Sequence, residues 1–228
     1  DVGRDTLLLV LTASPRECLC PVTWKYPIAG RIPYKGFFDL EAARKAAKGF
    51  SDRGYDVYLR PSAAFSTLGW FNDPLLSTAL SRDSVELAAL VFHEISHNTI
   101  WVKGATAFNE SFAQWVGYQA AQRFFLARGD TASALRAGDR WHDEQLLGEY
   151  YTRLLARLDS LYALKLPREA NDSGRTAISR WARDTMASPF GAAFRTIAVD
   201  RMAERPINNA ALLGTRLYRS DLYLFDDW

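Results

Sequence analysis

Two histidines four residues apart in an apolar helical run constrain this chain more than any other feature. His93-Glu94-Ile95-Ser96-His97 continues the run Val85-Glu86-Leu87-Ala88-Ala89-Leu90-Val91-Phe92, with Asp83 or Ser84 placed to cap its start. Residues at i and i+4 share one helix face. Two imidazoles at that spacing reach a single zinc ion at about 2.0–2.1 Å. Two of the three His in the chain lie in this pentad. The surrounding side chains are Leu, Ala, Val, Phe and Ile, an environment that penalises a carboxylate unless it is paired or lies beside a metal. The apolar positions wrap most of the helix, so a central, buried helix reaching about Trp101 is expected.

Glu94 is one position round from His93. That is too close in sequence for a comfortable third ligand, yet well placed to touch a metal-activated water as general base. A catalytic zinc takes three protein ligands and keeps one position open. Glu110, 13 positions beyond His97 in Asn109-Glu110-Ser111-Phe112-Ala113, is the expected third. Gly104 breaks the first helix, and Thr106 is expected to cap a second from about Ala107 to Arg128, ended by Gly129. Two helices joined by so short a turn pack antiparallel, which lets Glu110 face the imidazoles.

The rest of the chain sets the frame. Thr6 to Thr12 reads as a strand, and Trp24 to Phe38 as short strands bent by Pro and Gly. Asp39 caps a helix from Leu40 to Arg53, and Tyr55 to Arg60 and Ala63 to Phe71 read as further strands. After the ligand helices come helices at about Thr131 to Leu164 and Gly174 to Arg205, separated by Pro167 and the polar stretch Asn171 to Gly174. Strands first and helices after argue an α+β fold. The expected organisation is a small mixed β-sheet with both ligand helices over residues 1–129 and a mostly helical part over 130–228. The two complete one cleft in a single catalytic unit.

With 48% hydrophobic and 24% charged residues and a net charge of +2, the chain can bury a core. Its charge balance points to neither a nucleic acid nor an anionic membrane surface. No run approaches the roughly 20 apolar residues of a spanning helix. Cys18 and Cys20 read as two thiols or a minor disulfide. The opening Asp1-Val2-Gly3-Arg4-Asp5, with no Met, reads as a trimmed or internal start.

The stretch His93 to Tyr118 resembles the bacterial putative aminopeptidase family of zinc-dependent, gluzincin-like proteins. The likeness extends to Trp24–Asp39, to Ala64–Leu76, and to Asn208-Asn209-Ala210 with Tyr218. The resemblance implies a zincin-like metallopeptidase fold, one zinc on His93, His97 and Glu110, and a peptide or protein substrate trimmed from its N-terminus. It also implies a cell-envelope or periplasmic location. The chain lacks the G-A-M-E-N string that recognises the substrate amine in similar large aminopeptidases, and its Glu ligand follows sooner than in better-known gluzincins.

Outside the metal set, Tyr218 is the candidate donor to a developing oxyanion, with His142 a weaker one. Asn109 is a candidate to bind substrate or to hold backbone beside the metal. Gly69 and Trp70 lie in a segment that can pair with an extended peptide. Asp73, Asn208 and Asn209 are further candidates for the cleft. The rival reading is a catalytically inactive, peptidase-like scaffold; an intact H-E-x-x-H with Glu110 argues against it.

Overall fold

The computed structural model describes residues 9–26, 30–61, 83–219 and 221–225. In chain order these form β1 (Leu9–Ser14), β2 (Trp24–Tyr26), β3 (Gly30–Ile32), β4 (Lys35–Phe37), α1 (Leu40–Ser51) and β5 (Asp56–Pro61). Helices follow: α2 (Ser84–Thr99), α3 (Thr106–Ala127), α4 (Thr131–Ala163), α5 (Arg168–Met186), α6 (Pro189–Ala192), α7 (Val199–Ala203) and α8 (Asn209–Tyr218). A 3-10 turn spans Leu222–Phe225. The α+β class stands, with most of the chain helical. Two compact units result: Asp1–Arg82 with Asn208–Leu213, and Asp83–Ile207 with Gly214–Trp228.

In the first unit β1 is the middle strand, antiparallel to β4 on one side and to β5 on the other. β2 and β3 form a separate antiparallel ribbon. The expected mixed sheet is therefore corrected: every described pairing is antiparallel. β4 and β5 do run the same way, but β1 separates them and α1 carries the chain across. Asp39 caps α1 by accepting the Ala42 N–H at 2.6 Å, and Gly54 follows its end at φ +81°. Cys18 and Cys20 are joined as a disulfide. Their loop is held from the sheet by Ser14, whose hydroxyl lies 3.1 Å from the Cys18 carbonyl oxygen and 3.0 Å from that of Cys20. Asn209 donates to the carbonyls of Pro15 and Cys18, and its own N–H donates to Asp56 at 2.7 Å. Asn208 donates to the Val57 carbonyl and accepts the Ala211 N–H. Both asparagines thus tie the start of α8 to the sheet, with their amides spent on backbone.

The second unit is built on α2, α3 and α4. Asp83 accepts the N–H groups of Val85 and Glu86, both at 2.9 Å, which sets where α2 starts. Val85, Ala89, His93 and Ser96 form its buried stripe. The helix is one-sided rather than buried all round, because α3 and α4 cover one face and leave Val91 and Ile95 exposed. Thr106 is the first residue of α3 and not its cap; the cap position is Ala105, without a side-chain bond. Val85, Ala89, Ala121, Phe125, Ala134 and Ala137 form the shared core.

Small residues set how closely α2 and α3 approach. Ala113 and Ala121 on α3 are fully buried, and Gly117 lies between them. A Cβ on Gly117 would stand 2.6 Å from the Ala89 carbonyl oxygen and 3.4 Å from the His93 Cβ. Gly117→Ala is expected to destabilise the fold by about 1–3 kcal/mol through overpacking, despite the better helix propensity of Ala. Chemical denaturation checks this, and a variant as stable as the parent would show that the helices can part without loss.

The helix expected from Gly174 to Arg205 is redrawn. α5 begins at Arg168, directly after Pro167, and runs through Asn171 to Gly174. Pro167 ends the preceding segment and stands at the cap position, and the Asn171 N–H donates to its carbonyl at 2.9 Å, which closes the first turn. The chain breaks again at Ser188-Pro189.

A buried carboxylate fixes the connection after α6. Asp143 on α4 is fully buried and accepts the N–H groups of Arg195, Thr196 and Ile197 at 2.8, 2.7 and 3.0 Å, as well as the Thr196 hydroxyl. His142 beside it lies 3.3 Å from the Ala193 carbonyl oxygen. Asp143→Ala strands four donors and is expected to cost about 3–5 kcal/mol, read as a fall in melting temperature. A loss under about 1 kcal/mol would mean that water replaces the carboxylate without penalty.

Candidate metal centre

His93 and His97 stand one turn apart on α2, and their Nε2 atoms approach to 3.2 Å. The Gly104 turn, at φ +82°, reverses the chain into α3. Asn109 secures that turn. It is buried, its Oδ1 accepts the Val102 N–H at 2.9 Å, and its Nδ2 donates to the Val102 carbonyl at 2.8 Å. With both ends of its amide on Val102, Asn109 holds backbone beside the site. The next residue, Glu110, then projects toward α2. Its Oε2 lies 3.5 Å from His93 Nε2 and 3.8 Å from His97 Nε2.

These three donors suit one tetrahedral ion. Bonds of about 2.0–2.1 Å at tetrahedral angles hold their donors about 3.3–3.4 Å apart, and the observed separations are 3.2, 3.5 and 3.8 Å. Among the described residues, His93, His97 and Glu110 form a group able to hold a metal ion. Glu94 is half-buried on the same turn as His93, and its charge strengthens the hold of His97 on a proton. A carboxylate thus stands next to the three donors without being one of them.

The family model described as "Putative aminopeptidase" matches residues 1–228. The chain belongs to that family. No curated protein and no solved structure gives a match. The name carries the expectation of a peptidase and a peptide substrate. Among the described residues no helix is long and apolar enough to cross a membrane.

The remaining candidates divide by where they lie. Gly69, Trp70 and Asp73 fall outside the described residues. Tyr218 is the last residue of α8, and its side chain is likewise outside the description. His142 is engaged with the 193–197 connection. Two contributors escaped the sequence reading. Ser96 donates to the His93 carbonyl at 2.7 Å inside the ligand turn. Gly117 lets α3 reach α2. The spacing of Ala113, Gly117 and Ala121 after Glu110 was the available signal for the second.

Without metal the donors bind one another. The contact with Glu110 raises the His97 pKa above its ordinary 6.5, against the opposing effect of burial. Burial acts to raise Glu110, but its contacts with His93 and His97 and their charge outweigh this and hold it at about 2. The raised His97 value favours folding below 6.5, and that support is lost as pH rises through the folded value. The lowered Glu110 value favours folding above its ordinary 4.5 and is lost as pH falls toward 2. In metal-stripped protein the melting-temperature gap between the parent and Glu110→Gln is therefore expected to be widest between pH 4.5 and 6.5. A gap that widens steadily into alkaline pH would contradict the pairing.

Proposed function

We propose that this protein is a zinc-dependent peptidase of the gluzincin type on a zincin-like fold, acting as an aminopeptidase. The observation that carries the reading is the convergence of two imidazole nitrogens and a carboxylate oxygen from consecutive helices, with a second carboxylate beside them. His93, His97 and Glu110 would hold the ion. A zinc ion bound there lowers the pKa of water to about 7 and polarises a carbonyl.

The chain's own residues do the rest. Glu94 accepts the proton of the attacking water and returns it to the departing nitrogen. Its place one residue after His93 suits it to reach the attacking water, and its absence from the proposed ligand set leaves it available to carry a proton. Tyr218 is proposed to donate its phenolic O–H to the carbonyl oxygen as negative charge develops there. The Ser66–Phe71 segment around Gly69 and Trp70 is proposed to align the peptide through main-chain hydrogen bonds.

Elemental analysis with a peptide digest tests the proposal. One zinc per chain and cleavage of peptides with free N-termini, but not of blocked ones, is the expected result. Cleavage of both classes alike would keep the peptidase and overturn the aminopeptidase reading. Stoichiometric zinc with no cleavage of any peptide would favour an inactive, peptidase-like binding protein.

A further inference from the structure

We infer that Trp101 is the specificity wall of this site, against which a large apolar side chain flanking the scissile bond packs. The inference rests on the peptidase reading above and names the substrate class. Trp101 is four residues past His97, and their ring centroids are 5.5 Å apart at an interplanar angle of 72°. The indole therefore meets a proposed metal ligand directly. His97 Nδ1 is buried without a hydrogen-bond partner among the described residues. The orientation of its ring thus rests on His93, Glu110 and this aromatic contact.

Trp101 is nevertheless 57% exposed. Elsewhere in the same unit large aromatic rings are used as core: Trp141 is buried with Phe225, and Trp115 stacks on Phe225 at 6.0 Å. An indole left in water beside a candidate metal centre, in a segment whose Ile95, Ile100 and Val102 are exposed as well, offers apolar area for a partner to cover. Between Ile95 and Val102 the only ionisable side chain is His97 itself. An acidic or basic substrate side chain packed against the indole would lose water.

The surface is also held in place before any substrate arrives. Ile100 donates its N–H to the Ser96 carbonyl at 2.9 Å. Val102 is bound at both its N–H and its carbonyl by the Asn109 amide, and its carbonyl also accepts the Ala105 N–H at 3.2 Å. Trp101 sits between two anchored residues, so little conformational freedom is lost when a side chain packs on it. The occupant that this chemistry fits is a Leu- or Phe-sized side chain adjoining the bond to be cut.

The test compares kcat/KM for matched peptides carrying Leu, Phe, Ala, Asp or Lys beside the scissile bond. The parent is expected to favour Leu and Phe over Ala by about tenfold or more, and over Asp by a larger factor. Trp101→Ala should lower kcat/KM for the Leu and Phe peptides far more than for the Ala peptide, which removes most of that preference. Trp101→Phe should restore the preference, and Trp101→Glu should shift it toward Lys, which keeps the test decisive if the Ala variant folds poorly. A Trp101→Ala protein that cleaves with an unmoved preference overturns the inference alone. A parent that cleaves none of the peptides overturns the peptidase reading and the inference with it.

Discussion

Glu94→Gln is expected to lower peptide hydrolysis by about 10²–10⁴-fold while the protein keeps its zinc. The substitution preserves the size and shape of the side chain and removes only its capacity to take a proton. The three converging donors are His93, His97 and Glu110, so the ligand set is untouched. Loss of the Glu94 charge weakens the grip of His97 on a proton and leaves its imidazole in place as a donor. The loss should therefore fall on kcat at constant metal content. Steady-state kinetics on zinc-loaded samples, paired with elemental analysis, gives the answer. Activity within a fewfold of the parent would remove Glu94 from the chemistry.

Glu110→Ala has the second large effect, and it falls on the metal. Removing a partner outside the ligand shell already costs about 10–100-fold in metal affinity. Removing one of the three donors themselves should cost more, because only two neutral imidazoles would remain around a dication that had a carboxylate. The same change leaves His93 and His97 with their Nε2 atoms 3.2 Å apart and no anion between them. Competition against a chromophoric chelator measures the affinity. The expected result is a fall beyond 100-fold with helix content intact. An unchanged affinity would mean that the ion, if bound, takes its third ligand elsewhere.

Much of the site could be read from the chain because its determinants are local. The i, i+4 spacing of His93 and His97 needs only a helix, and Asp83 marks where that helix starts. Gly104 and Gly129 mark the ends of the ligand helices through backbone conformations that other residues resist, at φ +82° and +75°. Glu110 was readable because a short turn between helices leaves few ways to pack them. What could not be read depends on pairs of elements. That Val91 and Ile95 face outward is decided by which neighbours cover α2, and nothing in their own run shows it. Gly117 looks like a weak point in a helix until Ala89 is seen against it. The antiparallel sheet follows from β1 lying between β4 and β5, an arrangement that strand-forming residues do not encode singly. The start of α5 had a readable cue in Pro167, since proline favours helix starts, and the polar run after it does not interrupt the helix.

The central claim is that one divalent ion is held jointly by α2 and α3. An anomalous difference map from zinc-soaked crystals, recorded at the zinc edge, tests it most directly. The account predicts one strong peak bonded to Nε2 of His93, Nε2 of His97 and a carboxylate oxygen of Glu110, with Glu94 outside bonding distance. A peak elsewhere, or a Glu110 side chain turned away from an ion held by the imidazoles alone, would contradict it.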